Sequence, residues 1–178
     1  ELLLERSERL GVGGIVAREL QKSGVRDPLI EQKIIGWFSA SAERQMRLEQ
    51  LAALLAERGL EAVALKGASL LNTAYAGQMS CRSFSDLDLL VPPRNLPAAQ
   101  QAAALVAPVP AIPIDWHVDL MNSARILSRA LLCRISLDEI WEMSYLWRPG
   151  IRFLRPELQF VHLSLHACKH SYARLMWL

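Results

Sequence analysis

Lysine is scarce in this chain. Four stand among 178 residues, Lys22, Lys33, Lys66 and Lys169, and the other basic residues are arginine. Net charge is only +2, so no one-sided field draws the protein toward long nucleic acid or an anionic membrane. Cysteine is also sparse. Cys81, Cys133 and Cys168 lie far apart, with no C-x-x-C and no metal-ligand spacing. An odd number of scattered thiols predicts a reducing compartment rather than a disulfide framework. No apolar run is long enough to cross a bilayer and no signal-peptide pattern opens the chain, so a cytoplasmic protein is expected. Internal repeats and low-complexity tails are missing too. The glycine-rich "GVGG" (11–14) has no strand before it, which makes it a turn rather than a dinucleotide fingerprint.

Apolar residues, in contrast, make up 52% of the chain. That suffices for one domain with a real core and a helical appendage. The first residue is Glu1, the last four are the apolar "LMWL", and "LVAPVPAIPI" (105–114) is short for a helix-to-strand return. Missing residues are therefore expected at both ends and near 107–111.

Residues 1–60 read as a helical region. Asp27-Pro28 is an N-cap followed by proline at the first helical position. The apolar period then runs to Gly59, a C-cap, with Gly36 a point where the helix can bend or split. The period changes after Gly59. "EAVALK" (61–66) predicts a buried strand and "GASLLNTAYA" (67–76) a helix. A second strand is expected at 84–91, a helix with Pro97 in its first turn at 95–107, and a third strand in "IPIDWHVDL" (112–120). This last segment alternates: Ile112, Ile114, Trp116, Val118 and Leu120 share one face, and Asp115, His117 and Asp119 the other. From 121 to 178 the pattern is mainly helical, broken by a turn or hairpin at "RPGIRFLRP" (148–156). The expectation is an α+β fold: a small mixed sheet over 61–120, backed by helices, with helical N- and C-terminal flanks in one compact unit.

The stretch "CRSFSDLDLLV" (81–91) raises the functional question. Asp86 and Asp88, two apart on a strand, point to one face. At about 5 Å and an effective dielectric near 20 their repulsion is about 3 kcal/mol. A D-x-D pair alone also occurs on exposed strand faces and at turns, but Leu87, Leu89, Leu90 and Val91 make this strand a buried one. Paired carboxylates there can hold a hard divalent ion with positions left open for water or phosphate. Asp115, on the polar face of a neighbouring strand, would complete a two-metal cradle able to activate an attacking oxygen and stabilise leaving pyrophosphate. Upstream, Lys66-Gly67 opens a helix whose first N–H groups can meet an anion, with Ser69 as a donor. A plain strand–helix turn with a solvated lysine is the simpler account of that turn taken alone.

"LKGASLLNTAYAGQMSCRSFSDLDLLV", then "IDWHVDL" and "LQFVHLSLHACKHSYARLMWL", resemble an uncharacterised bacterial nucleotidyltransferase family of the DNA polymerase beta superfamily. "SERLGVGGIVARELQ" resembles its N-terminal helices. The resemblance implies a short mixed nucleotidyltransferase sheet backed by helices. It implies that Asp86 and Asp88 bind metal, Mg2+ or Mn2+, with Asp115 as third carboxylate and general base toward the acceptor. Lys66 and Gly67 match the turn facing the triphosphate. Arg82 matches the arginine before the aspartates, and Ser85 braces the same loop. Two departures stand out: better-known superfamily members have Gly-Ser directly at the turn, here Gly67-Ala68-Ser69, and a shorter run to the aspartates.

Histidine is sparse as well, and all but one of the four lie at 162, 166 and 170. Steps of four place these on one drifting helical stripe. Packing histidines, a zinc site without a local carboxylate, or a helix leaning over the active site all fit that stripe. The resemblance covers His166 and His170, which with His117 and Arg174 are candidates for contacts to acceptor or phosphate. The expected activity is transfer of a nucleoside monophosphate from an NTP, ATP above others, to a hydroxyl or amine of a small-molecule or protein acceptor, without a membrane. A tRNA end is the one nucleic-acid acceptor considered. The alternative is a degenerate nucleotide-binding or regulatory protein of the same fold.

Overall fold

The structure, a computed structural model, describes residues 2–82, 84–106, 112–120 and 135–169. Expected features at His170, Arg174, Cys133 and the 107–111 junction lie outside these residues. Helices α1 (Leu2–Arg9), α2 (Gly13–Lys22) and α3 (Pro28–Glu57) open the chain. Asp27 caps α3: its Oδ1 accepts from the Leu29 N–H at 2.9 Å, with Pro28 in the first turn. The helix runs 30 residues without a break at Gly36, so the apolar period overrides the one weak position. It ends in a Schellman motif. Gly59 takes φ +64, the Leu60 N–H donates to Leu55 O at 2.9 Å and the Gly59 N–H to Ala56 O at 2.9 Å. Leu4, Ala17 and Ile30 join α1, α2 and α3 in a small core of their own.

The remaining elements are β1 (Ala62–Ala64), α4 (Lys66–Asn72), β2 (Leu87–Leu90), α5 (Leu96–Ala103), β3 (Ile114–His117), α6 (Leu137–Glu142), β4 (Ser144–Arg148), β5 (Ile151–Leu154) and α7 (Pro156–Lys169). The strands form one mixed sheet in the order β3-β2-β1-β5-β4. β2 is antiparallel to β1 and parallel to β3, while β5 is parallel to β1 and antiparallel to β4. This is the expected α+β class, a small sheet backed by helices.

Alternation along the strands divides the core. Ala62, Ala64, Leu87, Leu89, Ile151 and Phe153 pack against Leu48, Leu51 and Leu55 of α3 and Ala99 and Ala102 of α5. On the opposite face Val63, Leu65, Leu90 and Leu154 meet Ile140 of α6 and Leu158 of α7. Each fully buried leucine contributes about 1.5–3 kcal/mol. Asp88, between Leu87 and Leu89, is directed to the α6–α7 face by the same alternation.

Several boundaries differ from expectation: α4 stops at Asn72 rather than 76, and α5 at Ala103 rather than 107. β2 begins at Leu87, so Asp86 precedes the strand. The first pair is Leu87 with Ile114, and Pro113 has no N–H to carry the ladder further back. Lys66 is the first residue of α4 rather than the end of a strand. β3 ends at His117, and Leu120 therefore joins the α6–α7 cluster instead of the face of Ile114 and Trp116. Finally, the expected turn or hairpin is a hairpin with "RPG" at its turn, but it begins earlier, at Ser144, and both its strands extend the sheet beyond residue 120. Strands of five and four residues carry too little pattern to show that they join the sheet.

Gly150 holds that hairpin against α3. Its φ is +87, and a Cβ there would lie 2.1 Å from the Ala52 carbonyl oxygen. Gly150→Ala is expected to lower stability by about 2–4 kcal/mol, through backbone strain and overpacking together. A urea midpoint unchanged by the substitution contradicts this.

Candidate active site

Asp88 is 4% exposed, on the sheet face covered by α7. Burying a carboxylate costs several kcal/mol unless the fold compensates it. Two groups do. Lys66 Nζ donates to Asp88 Oδ1, and His117 Nε2 lies 3.0 Å from the same oxygen. Burial alone would raise the Asp88 pKa; the His117 hydrogen bond and the Lys66 ammonium outweigh it and hold the carboxyl below its ordinary range.

The parallel register of β2 and β3 pairs Asp88 with Asp115. His117, two residues on, shares the Asp115 face. Its Nε2 is also 3.3 Å from Asp115 Oδ2, so one ring nitrogen faces two carboxylates, while its Nδ1 is buried without a hydrogen-bond partner. Donor atoms of Asp88, Asp115 and His117 all lie within 4.8 Å of one another. Two carboxylate oxygens and an imidazole nitrogen suit a divalent cation. Asp115 keeps 38% of its side chain exposed, which leaves the group open on one side.

Lys66 has φ +46, a left-handed conformation that costs a lysine about 1–3 kcal/mol. The strain falls on the residue whose ammonium meets Asp88. Gly67 has a packing reason of its own: a Cβ there would lie 2.5 Å from Phe84 Cγ. Ser69 is buried, and its hydroxyl donates to Gln159 Oε1 of α7 at 3.5 Å. The structure thus places Lys66 in the site and turns Gly67 and Ser69 toward neighbouring side chains.

Arg82 is buried. Desolvation pushes its guanidinium below the usual arginine range, opposed by the charges of Tyr75 and Asp88. Its carbonyl accepts from Ser41 Oγ at 3.1 Å, tying it to α3. Ser85 Oγ donates to Asp86 Oδ1 at 3.2 Å. Asp86 is half-exposed and stands outside the Asp88–Asp115–His117 group. Arg44 of α3, which the sequence did not single out, lies within electrostatic reach of Asp86 and over the Phe84 ring at 5.6 Å.

Helix α7 does lean over this face. His162 and His166 stack with centroids 6.4 Å apart, so the stripe is real for the part of it described. His162 is 2% exposed, and neither ring nitrogen has a hydrogen-bond partner. Each unmet buried polar group of this kind costs about 1–3 kcal/mol. Desolvation first, then Lys66, His166 and His117, push its pKa down to about 3, with Asp88 opposing. The helical spacing pointed to the stripe; nothing in the sequence marked His162 as its unbonded member.

Residues 1–105 match a family described as uncharacterised nucleotidyltransferase. No curated protein and no solved structure matches the chain. The family match ends before β3, so Asp115 and His117 join the site through the sheet register.

A histidine held neutral by burial makes stability pH-dependent. Between pH 6.5 and 3 the unfolded chain takes up a proton at His162 that the folded chain refuses, so stability falls as pH falls. The loss from this one group is about 2 kcal/mol by pH 5. Asp88 acts only lower, below the ordinary aspartate value of 3.8. Denaturant titrations at pH 7 and pH 5 should show this loss, and His162→Leu should remove it; an equal slope in that variant contradicts the assignment.

Proposed function

The chain belongs to the uncharacterised nucleotidyltransferase family, and on that premise we propose that it moves a nucleoside monophosphate from an NTP onto a hydroxyl or amine of a small-molecule or protein acceptor. The supporting observation is the convergence of Asp88, Asp115, His117 and Lys66 on one sheet face. It fits the mixed sheet of the DNA polymerase beta superfamily, which the sequence resembles. ATP is the expected donor and Mg2+ or Mn2+ the expected ion.

In this reading Asp88, Asp115 and His117 hold the ion, with Asp86 at the rim supplying a further carboxylate. The ion would draw charge from the phosphate oxygens and favour departure of pyrophosphate. The acceptor oxygen or nitrogen attacks the α-phosphorus, the bond from that phosphorus to the β-phosphate oxygen breaks, and the acceptor proton passes to Asp115, the most open of the three. Without the ion, His117 Nε2 faces both carboxylates; with it bound, the same nitrogen would turn its lone pair to the metal. Lys66, Arg82 and Ser85 serve the triphosphate and its loop.

Among the described residues no helix is long and apolar enough to cross a membrane. A cytoplasmic protein, where triphosphates are abundant, is part of the proposal. One observation favours the alternative of a degenerate nucleotide-binding protein: Gly67 and Ser69 are engaged by Phe84 and Gln159 and offer the phosphates little. That alternative gives nucleotide binding without pyrophosphate release for any acceptor.

Pyrophosphate release, followed with each of four NTPs and a panel of acceptors, tests the proposal. Asp88→Asn should reduce turnover by about 10³-fold or more, since the loss of a metal-holding charge is worth several kcal/mol. Asp86→Asn should also reduce it. Unchanged turnover in both variants contradicts the assignment.

A further inference from the structure

His162 is a buried imidazole whose place on α7 is fixed from two sides. Leu158, four residues earlier, lies in the apolar cluster under the sheet. Gln159, three residues earlier and on the same helix face, accepts from Ser69 of α4. That helix begins at Lys66. A histidine kept for packing would bond through at least one nitrogen, yet this one bonds through neither. Leucine would fill the space without leaving polar atoms unmet, so packing does not account for the residue.

The charged groups acting on His162 are Lys66 of α4, His166 of α7, His117 of β3 and Asp88 of β2. Of the two fixed charges the Lys66 ammonium acts on it more strongly than the Asp88 carboxylate, so an electron-rich ligand atom is favoured beside it. A neutral imidazole offers one N–H donor and one lone pair. We propose that His162 is a phosphate-binding residue of the candidate site, its ring N–H donating to an oxygen of a nucleoside triphosphate that Lys66 also neutralises. This rests on the nucleotidyl-transfer reading. Held neutral, His162 adds direction to the contact without adding charge. Lys66 is now committed to Asp88. A cation at that carboxylate competes with the ammonium, which then requires an anion within its own reach.

Calorimetric titration with α,β-methylene ATP and its guanosine, cytidine and uridine counterparts, in Mg2+, tests this on the unaltered chain, His162→Leu and His162→Asn. His162→Leu should weaken the tightest analogue tenfold or more while raising the Tm of the nucleotide-free protein, because two unmet buried atoms are removed. His162→Asn, which keeps a donor, should lose less affinity. A purely structural histidine gives the reverse, a lower Tm with unchanged affinity. Affinity within twofold of the unaltered chain in His162→Leu overturns the His162 assignment alone. Absence of binding to the unaltered chain overturns it together with the reading beneath it.

Discussion

A carboxylate with 4% exposure has to be compensated from inside the fold, and much of the architecture around Asp88 serves that need. β1 ends so that the next helix starts with Lys66 beside it. β3 lies parallel to β2 in the register that pairs Asp115 with Asp88 and sets His117 two residues on. The resulting group is overloaded with negative charge for a purely structural ion pair, since His117 Nε2 faces a second carboxylate as well. Lys66 stands as the resident cation, in a strained backbone conformation. In the proposed function the ammonium is what a bound metal ion would replace.

Much of this was legible in the sequence, where local period decides the outcome. "IDWHVDL" alternates, and it delivered Asp115 and His117 to one face. Asp27-Pro28 and Gly59 bounded α3 correctly because caps are local chemistry. What failed depends on partners distant in sequence. Whether Asp86 lies in the strand is decided by Pro113, across the sheet. Gly67 matches a turn expected to face the triphosphate, but the sequence does not show that the Phe84 ring fills the space a side chain there would take. A turn or hairpin was legible near 148–156, but its place in the sheet appears only once β5 is seen paired with β1.

The site is also spread more widely than its motif. The family match stops at residue 105, while Asp115, His117 and the whole of α7 come later. Helix α7 closes the sheet face on which Asp88 lies and reaches α4 through the Ser69–Gln159 bond. A substrate bound beside Lys66 would therefore meet a wall made by the C-terminal part of the chain. Differences in donor or acceptor preference within such a fold would arise there, on side chains that a short central motif does not record.

The proposal that Asp88 seats an exchangeable cation can be tested without any acceptor or turnover. Histidine side-chain NMR signals should be followed while Mn2+ is titrated into the protein, in the unaltered chain and in Asp88→Asn. Paramagnetic broadening should strike His117 first, at the lowest ratio of ion to protein, and should be lost or greatly weakened in the variant. Broadening that begins at other histidines, or that is the same in both proteins, would mean that the Asp88–Lys66–His117 group is a closed structural network rather than a cation site.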